Sequence, residues 1–140
     1  MLFKKSTDYA LKVLSLTARE TDKKFFGTKE LSERIEVSPT YLAKILQKLQ
    51  HAGFVESITG PGGGFSLAPE TRNKKLGDVV KTIESGELFS TCALGMSKCG
   101  NNNPCPFHER WAIFREEIQE YLETVSISDA GENFWPAFNK

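Results

Sequence analysis

The sequence predicts a mainly α-helical chain with a small β-hairpin wing: a winged helix-turn-helix domain followed by a long dimerisation helix. Two observations predict it. Two short helical patterns separated only by Glu36-Val-Ser38 stand directly before a strand–glycine–strand pattern. A long helical pattern with a coiled-coil-like apolar seam lies near the C-terminus.

The elements follow in order. Residues 8–20 read as a helix, capped by Thr7 or Asp8, with Leu11, Val13, Leu14 and Leu16 giving it apolar surface. Thr21 to Phe26 reads as a loop or short strand. Thr28 caps a short helix from Lys29 to Ile35. Ser38 is a good N-cap for the next, and Pro39 sits at its first position, where a missing N–H costs nothing. That helix runs to about Ala52 and ends at Gly53. Its apolar stripe is Leu42, Ile45, Leu46 and Leu49, with Tyr41 beside it. Phe54 to Ile58 alternates as a strand, Thr59-Gly-Pro-Gly-Gly-Gly64 turns the chain, and Phe65 to Leu67 returns it.

Leu76 to Ile83 suggests another short helix. Residues 91–105 form a polar loop that carries all three cysteines. From Pro106 to about Val125 comes the longest helical pattern. Its seam of Phe107, Trp111, Phe114, Ile118, Tyr121 and Val125 is spaced 4, 3, 4, 3, 4. The residues after Ser126 read as a tail ordered by Phe134, Trp135 and Phe138. The chain thus divides into a DNA-binding domain (1–85), a cysteine-bearing loop (86–105), a dimerisation helix (106–125) and a tail (126–140).

Composition sets the class. Among 140 residues, 39% are hydrophobic and 26% charged, which suits one ordinary globular domain. No apolar run is long enough to span a membrane, and Met-Leu-Phe-Lys-Lys lacks a signal peptide's apolar stretch, so a cytoplasmic location is expected. Net charge is zero but unevenly spread. Residues 1–60 carry ten Lys/Arg against seven Asp/Glu, and residues 101–140 carry three against seven. A mildly basic front and an acidic back fit a DNA-facing part joined to a part facing elsewhere.

A reading helix lays its exposed N-terminal side chains on base edges while its other face packs inside. Ser38, Thr40, Lys44 and Lys48 project away from the apolar stripe. The lysines suit guanine acceptors or phosphates, and the hydroxyls and helix N–H groups suit phosphates. Thr28, Pro39, Tyr41 and the wing residues Thr59, Gly62, Gly63 and Gly64 complete the predicted contact set. The glycines allow backbone N–H groups to approach a phosphate or groove. The wing lacks the Gly-Lys-Ser/Thr ending of a nucleotide-phosphate loop. No Ser/His/Asp set is present, and the only histidines are His51 and His108, so an enzyme is not expected.

Three cysteines in a reducing compartment read as metal ligands or reactive thiols rather than a disulfide framework. The spacing Cys92-x6-Cys99-x5-Cys105 is not the Cys-x2-Cys pair of structural zinc. Pro106 is expected to open the long helix, which places Cys105 at its N-cap, where the helix dipole favours a thiolate. His108 stands three residues on. The residues leave three readings open: an iron–sulfur cluster, zinc held by three cysteines and His108, or a thiol switch.

Thr7-Asp8-Tyr9-Ala10-Leu11, the helix from Ser38 to Leu49, Gly60-Pro-Gly-Gly-Gly64 and the three-cysteine loop before a long helix together resemble the IscR/NsrR family of winged-helix regulators. The resemblance covers nearly the whole chain. It implies a repressor-type homodimer on near-palindromic double-stranded operator DNA, with the interface formed by Trp111, Phe114, Ile118, Tyr121 and Val125. It also implies an iron–sulfur cluster on Cys92, Cys99 and Cys105 that answers to nitric oxide, oxygen or iron supply. In the nitric-oxide-sensing branch, which the opening Thr-Asp-Tyr resembles, the cluster is 4Fe–4S and the fourth ligand falls on Asp8. In the other branch it is 2Fe–2S with a histidine, here His108. The 4Fe–4S form is preferred on the flanking residues. The chain departs from both branches in its first cysteine gap, six residues where five is usual. It also has Thr59 where relatives often carry arginine.

Overall fold

The computed structural model describes residues 3–20, 24–84, 92, 94, 96, 99, 100 and 102–133. Its helices are α1 (Lys5–Arg19), α2 (Thr28–Ile35), α3 (Pro39–His51), α4 (Leu76–Glu84), α5 (His108–Thr124) and α6 (Ile127–Asn133). Strands β1 (Val55–Ile58) and β2 (Gly64–Leu67) form an antiparallel hairpin between α3 and α4. The mainly helical fold with a wing is as expected.

α1 is the centre of the domain. Ala10, Val13, Leu14, Leu16 and Ala18 are buried, and α1 packs against α2, α3, α4, α6 and β2. It starts three residues earlier than expected, and neither Thr7 nor Asp8 caps it. Lys4 is the N-cap, with no side-chain cap, while Thr7 and Asp8 lie in the first turn and donate their N–H groups to Lys4 O. The N–H of Lys4 itself donates to Glu84 Oε1 at 2.8 Å. A carboxylate from the end of α4, eighty residues away, does the work of a capping-box glutamate. At the other end, Arg72 Nη1 donates to Ala18 O at 2.6 Å and satisfies a late carbonyl.

α2 is capped by Gly27, and Thr28 is its first residue rather than its cap. It ends on Glu36 in the left-handed region (φ 58°), with Val37 N–H donating to Ser32 O, which sets the short turn into α3. Ser38 caps α3 as expected, its Oγ accepting from Tyr41 N–H at 3.2 Å. Leu42, Ile45, Leu46 and Leu49 are all buried, each stabilising the fold by roughly 1.5–3 kcal/mol.

The hairpin is tied to both sides of the domain. Phe26 and Phe65 exchange two backbone hydrogen bonds of 2.8 Å, so the chain before α2 runs alongside β2. This close approach explains Gly64, because a Cβ there would overlap the carbonyl oxygen of Phe26. A Cβ on Gly63 would overlap the carbonyl of Ile58. Gly63 and Gly64 are therefore needed inside the protein, whereas Gly60 and Gly62 face open space.

The C-terminal segment is more structured than expected. Ser126 and Asp129 form a reciprocal capping box: Asp129 N–H donates to Ser126 Oγ (3.0 Å) and Ser126 N–H to Asp129 Oδ2 (3.3 Å). This starts α6, whose Ile127 and Ala130 are buried and whose Gly131 lies flat on α1. Phe134, Trp135 and Phe138, expected to order the tail, lie outside the described residues. α5 begins at His108 with Phe107 as N-cap, so Cys105 is not the cap; its carbonyl accepts from His108 N–H in the preceding turn. Leu122 is the buried residue of α5 and packs on Gly77 of α4.

Gly131→Ala tests the α1–α6 contact. An added Cβ would lie 2.7 Å from Ser15 O and 3.0 Å from Arg19 N. Helix propensity alone would make the change stabilising by about 1 kcal/mol, but the clash is expected to cost about 1–3 kcal/mol. Urea denaturation reads the sign, and a net gain in stability would contradict this packing.

Candidate nucleic-acid interface and metal centre

Two sets of predicted residues form two separate sites. The first is the exposed side of α3. Ser38, Pro39, Thr40, Tyr41, Lys44 and Lys48 are all exposed, opposite the buried stripe. Thr28 stands at the start of α2, half-buried. Tyr41 rests edge-on against Tyr9 of α1 (centroids 5.7 Å apart), which fixes its ring beside the helix N-terminus. Thr59 and Gly62 are exposed at the wing tip, and Gly63 and Gly64 are half-buried. Gln50 Nε2 donates to Ser57 Oγ at 2.9 Å, linking the end of α3 to β1. Hydroxyls and two lysines on one face can bind phosphates and base edges.

The second site is the segment between α4 and α5. Although the cysteines are far apart in sequence, their Sγ atoms all lie within 4.8 Å of one another. Paired backbone bonds between Gly100 and Asn103 fold the chain back, so that Cys99 and Cys105 meet. Cys92 Sγ and Cys105 Sγ are 3.5 Å apart, all three thiols are free, and all are half-buried. Leu94 N–H donates to Cys92 Sγ (3.4 Å) and Cys105 N–H to Cys99 Sγ (3.3 Å). His108 Nδ1 lies 3.4 Å from Cys99 Sγ. Asp8 is half-buried in the first turn of α1 and is not part of its own chain's sulfur group.

The donor set fits a soft metal centre. Three thiolates with no carboxylate among them select zinc, copper(I) or iron–sulfur clusters over hard cations. N–H groups aimed at the sulfurs are a feature that tunes such centres. The thiols are unequal. Backbone N–H groups of Met96 and Leu94 hold Cys92 down to about 7, whereas burial pushes Cys105 up.

Cys92 is therefore expected to be more reactive than Cys105 in metal-free protein, because the thiolate is the nucleophile. Its alkylation by iodoacetamide should rise with a midpoint near pH 7 and outpace that of Cys105, as read by peptide mass spectrometry. Equal rates at both positions would contradict this geometry.

The chain as a whole is similar to known transcriptional regulators. The chain is 30% identical over 131 residues to an HTH-type transcriptional regulator of Aquifex aeolicus (strain VF5), covering 92% of this chain and 90% of that one. It is 27% identical over 121 residues to the HTH-type transcriptional regulator IscR of Vibrio atlanticus (strain LGP32), covering 86% of this chain and 69% of that one. The fold is similar to that of CymR, the global cysteine regulator of B. subtilis, with a TM-score of 0.74 and 21% identity over 93% of this chain and 95% of that one. These relatives are regulators rather than enzymes. Residues 3–133 match the Rrf2 family, described as an iron-dependent transcriptional regulator, and the chain belongs to that family of DNA-binding transcriptional regulators.

Proposed function

We propose that this chain is a cytoplasmic homodimeric repressor whose affinity for near-palindromic operator DNA is set by an iron–sulfur cluster on Cys92, Cys99 and Cys105. The observation that carries the reading is the convergence of the three thiols within 4.8 Å on the segment joining α4 to α5. Asp8 of the partner subunit is the fourth ligand, and the cluster is of the 4Fe–4S type. Bound there, the group would supply iron open to nitric oxide or oxygen, with the hard carboxylate of Asp8 as its most labile ligand beside the soft thiolates.

This chain's own residues turn that chemistry into DNA control. Cys92 and Cys99 anchor the segment, and Cys105 hands the chain to α5. Phe114 and Tyr121 are 47% and 49% exposed on the single chain. Together with Trp111, whose ring lies 5.5 Å from that of Phe114, they form the dimer seam. Ile118 and Val125 finish the seam while leaning on their own core. With the thiolates engaged, the segment is held between subunits and the two α3 helices keep a fixed separation. Half-sites lie about one DNA turn apart, roughly 34 Å. Release of the thiolates frees the segment and costs the helices that register. Lys44 and Lys48 give the electrostatic part of the affinity.

A second reading has one observation in its favour. His108 touches Cys99, and the compact sulfurs approach the about 3.8 Å edge of a tetrahedral thiolate zinc ion. In that reading, one zinc on Cys92, Cys99, Cys105 and His108 stabilises the segment without sensing. Otherwise, the thiols act alone as a redox switch.

Mobility-shift assays with holo, nitrosylated and apo protein test the proposal. Holo protein should bind its operator at least about tenfold more tightly than the other two, the scale of a typical coupling. Equal affinity in all three states would defeat it. Phe114→Asp should give folded monomers that lose operator binding. Persisting dimers in analytical ultracentrifugation would remove the seam from the account.

A further inference from the structure

The wing carries no cation. From Val55 to Leu67 the one charged residue is Glu56. A hairpin that lies on a polyanion ordinarily gains by neutralising phosphates, and this one has no side chain to do so. It offers an apolar tip instead. Ile58 is 53% exposed, and Pro61 is exposed at the turn. The strand register explains why Ile58 stands clear: its partner across the hairpin is Gly64, which has no side chain to cover it.

The tip is also held in place. Gly63 N–H donates to Gly60 O at 3.0 Å, and the turn is packed too closely on Ile58 to admit a Cβ at Gly63. The bond between Gln50 and Ser57 fixes β1 to the end of α3, and the Phe26–Phe65 bonds fix β2 to the body. An apolar point therefore sits at a set offset from the reading helix.

We infer that the wing reads the minor groove as an uncharged wedge, with Ile58 and Pro61 favouring an easily unstacked pyrimidine–purine step beneath them. Apolar side chains placed between base steps unstack and bend DNA, and flexible steps such as TA yield at the lowest cost. Glu56 lies two residues back on the same strand face and repels phosphates. The wing therefore adds discrimination, while Lys44 and Lys48 add affinity. The inference rests on the DNA-binding reading above, and its test separates the two.

Full-length protein selects duplexes from a random-sequence pool, and hydroxyl-radical footprinting locates the minor-groove flank covered by the wing. That flank is then made with TA or with AA at the covered step. The wild type should prefer TA by about tenfold, the scale of one mismatched base pair. Ile58→Ala should bring the two duplexes to equal affinity without changing the salt dependence. Thr59→Arg should steepen the salt dependence by about one phosphate contact. An Ile58→Ala protein that keeps the TA preference overturns the wedge, as does a Thr59→Arg protein with an unchanged salt dependence. Selected duplexes with no step preference at the flank overturn the wedge alone. A pool that yields no bound duplex overturns the DNA-binding reading with it.

Discussion

The burial of α1 is the constraint on which the other features depend. One helix supplies the floor under α2 and α3, the surface on which α6 lies and the wall against α4. Its N-terminus is closed by Glu84, the last residue of α4. The cysteine-bearing segment leaves from that same end of α4, and α5 receives it. In the proposed function, a displacement at the end of α4 would reach α1 through the bond between Glu84 and the Lys4 N–H. A rigid, close-packed interior transmits such a displacement rather than absorbing it.

The two sites also divide the physical labour. Charge is concentrated on α3, where Lys44 and Lys48 are exposed opposite the buried stripe. Shape is concentrated in the wing, a tightly turned hairpin with one charged residue. Soft ligands are concentrated between α4 and α5, away from both. In the proposed function, this separation would let a metal centre change without altering the groups assigned to DNA.

Local signals in the sequence were read correctly where the structure uses local interactions. Ser38 and Pro39 start α3, its four apolar residues are buried, and the glycine-rich turn makes a hairpin. The misreadings arose where a distant partner decides. Nothing near Lys4 reveals that Glu84 will close α1, so Thr7 and Asp8 were the natural caps to expect. Gly63 and Gly64 suggested an open approach to phosphate, but they answer to the carbonyls of Ile58 and Phe26. Helix α6 is short and carries only two buried apolar side chains, too few to give a period. Its signal was the Ser126-x-x-Asp129 box. The cysteines were legible as candidate ligands from residue type, while their meeting within 4.8 Å depends on the Gly100–Asn103 turn. The 4–3 pattern was legible as a long helix, but not that Ile118 and Val125 would lean on their own core.

An iron–sulfur centre holds inorganic sulfide as well as iron. Protein purified without oxygen should be brown, absorb broadly in the visible range, and contain four iron and four sulfide per chain. A colourless protein with one zinc and no sulfide, unchanged after anaerobic reconstitution, would contradict the account.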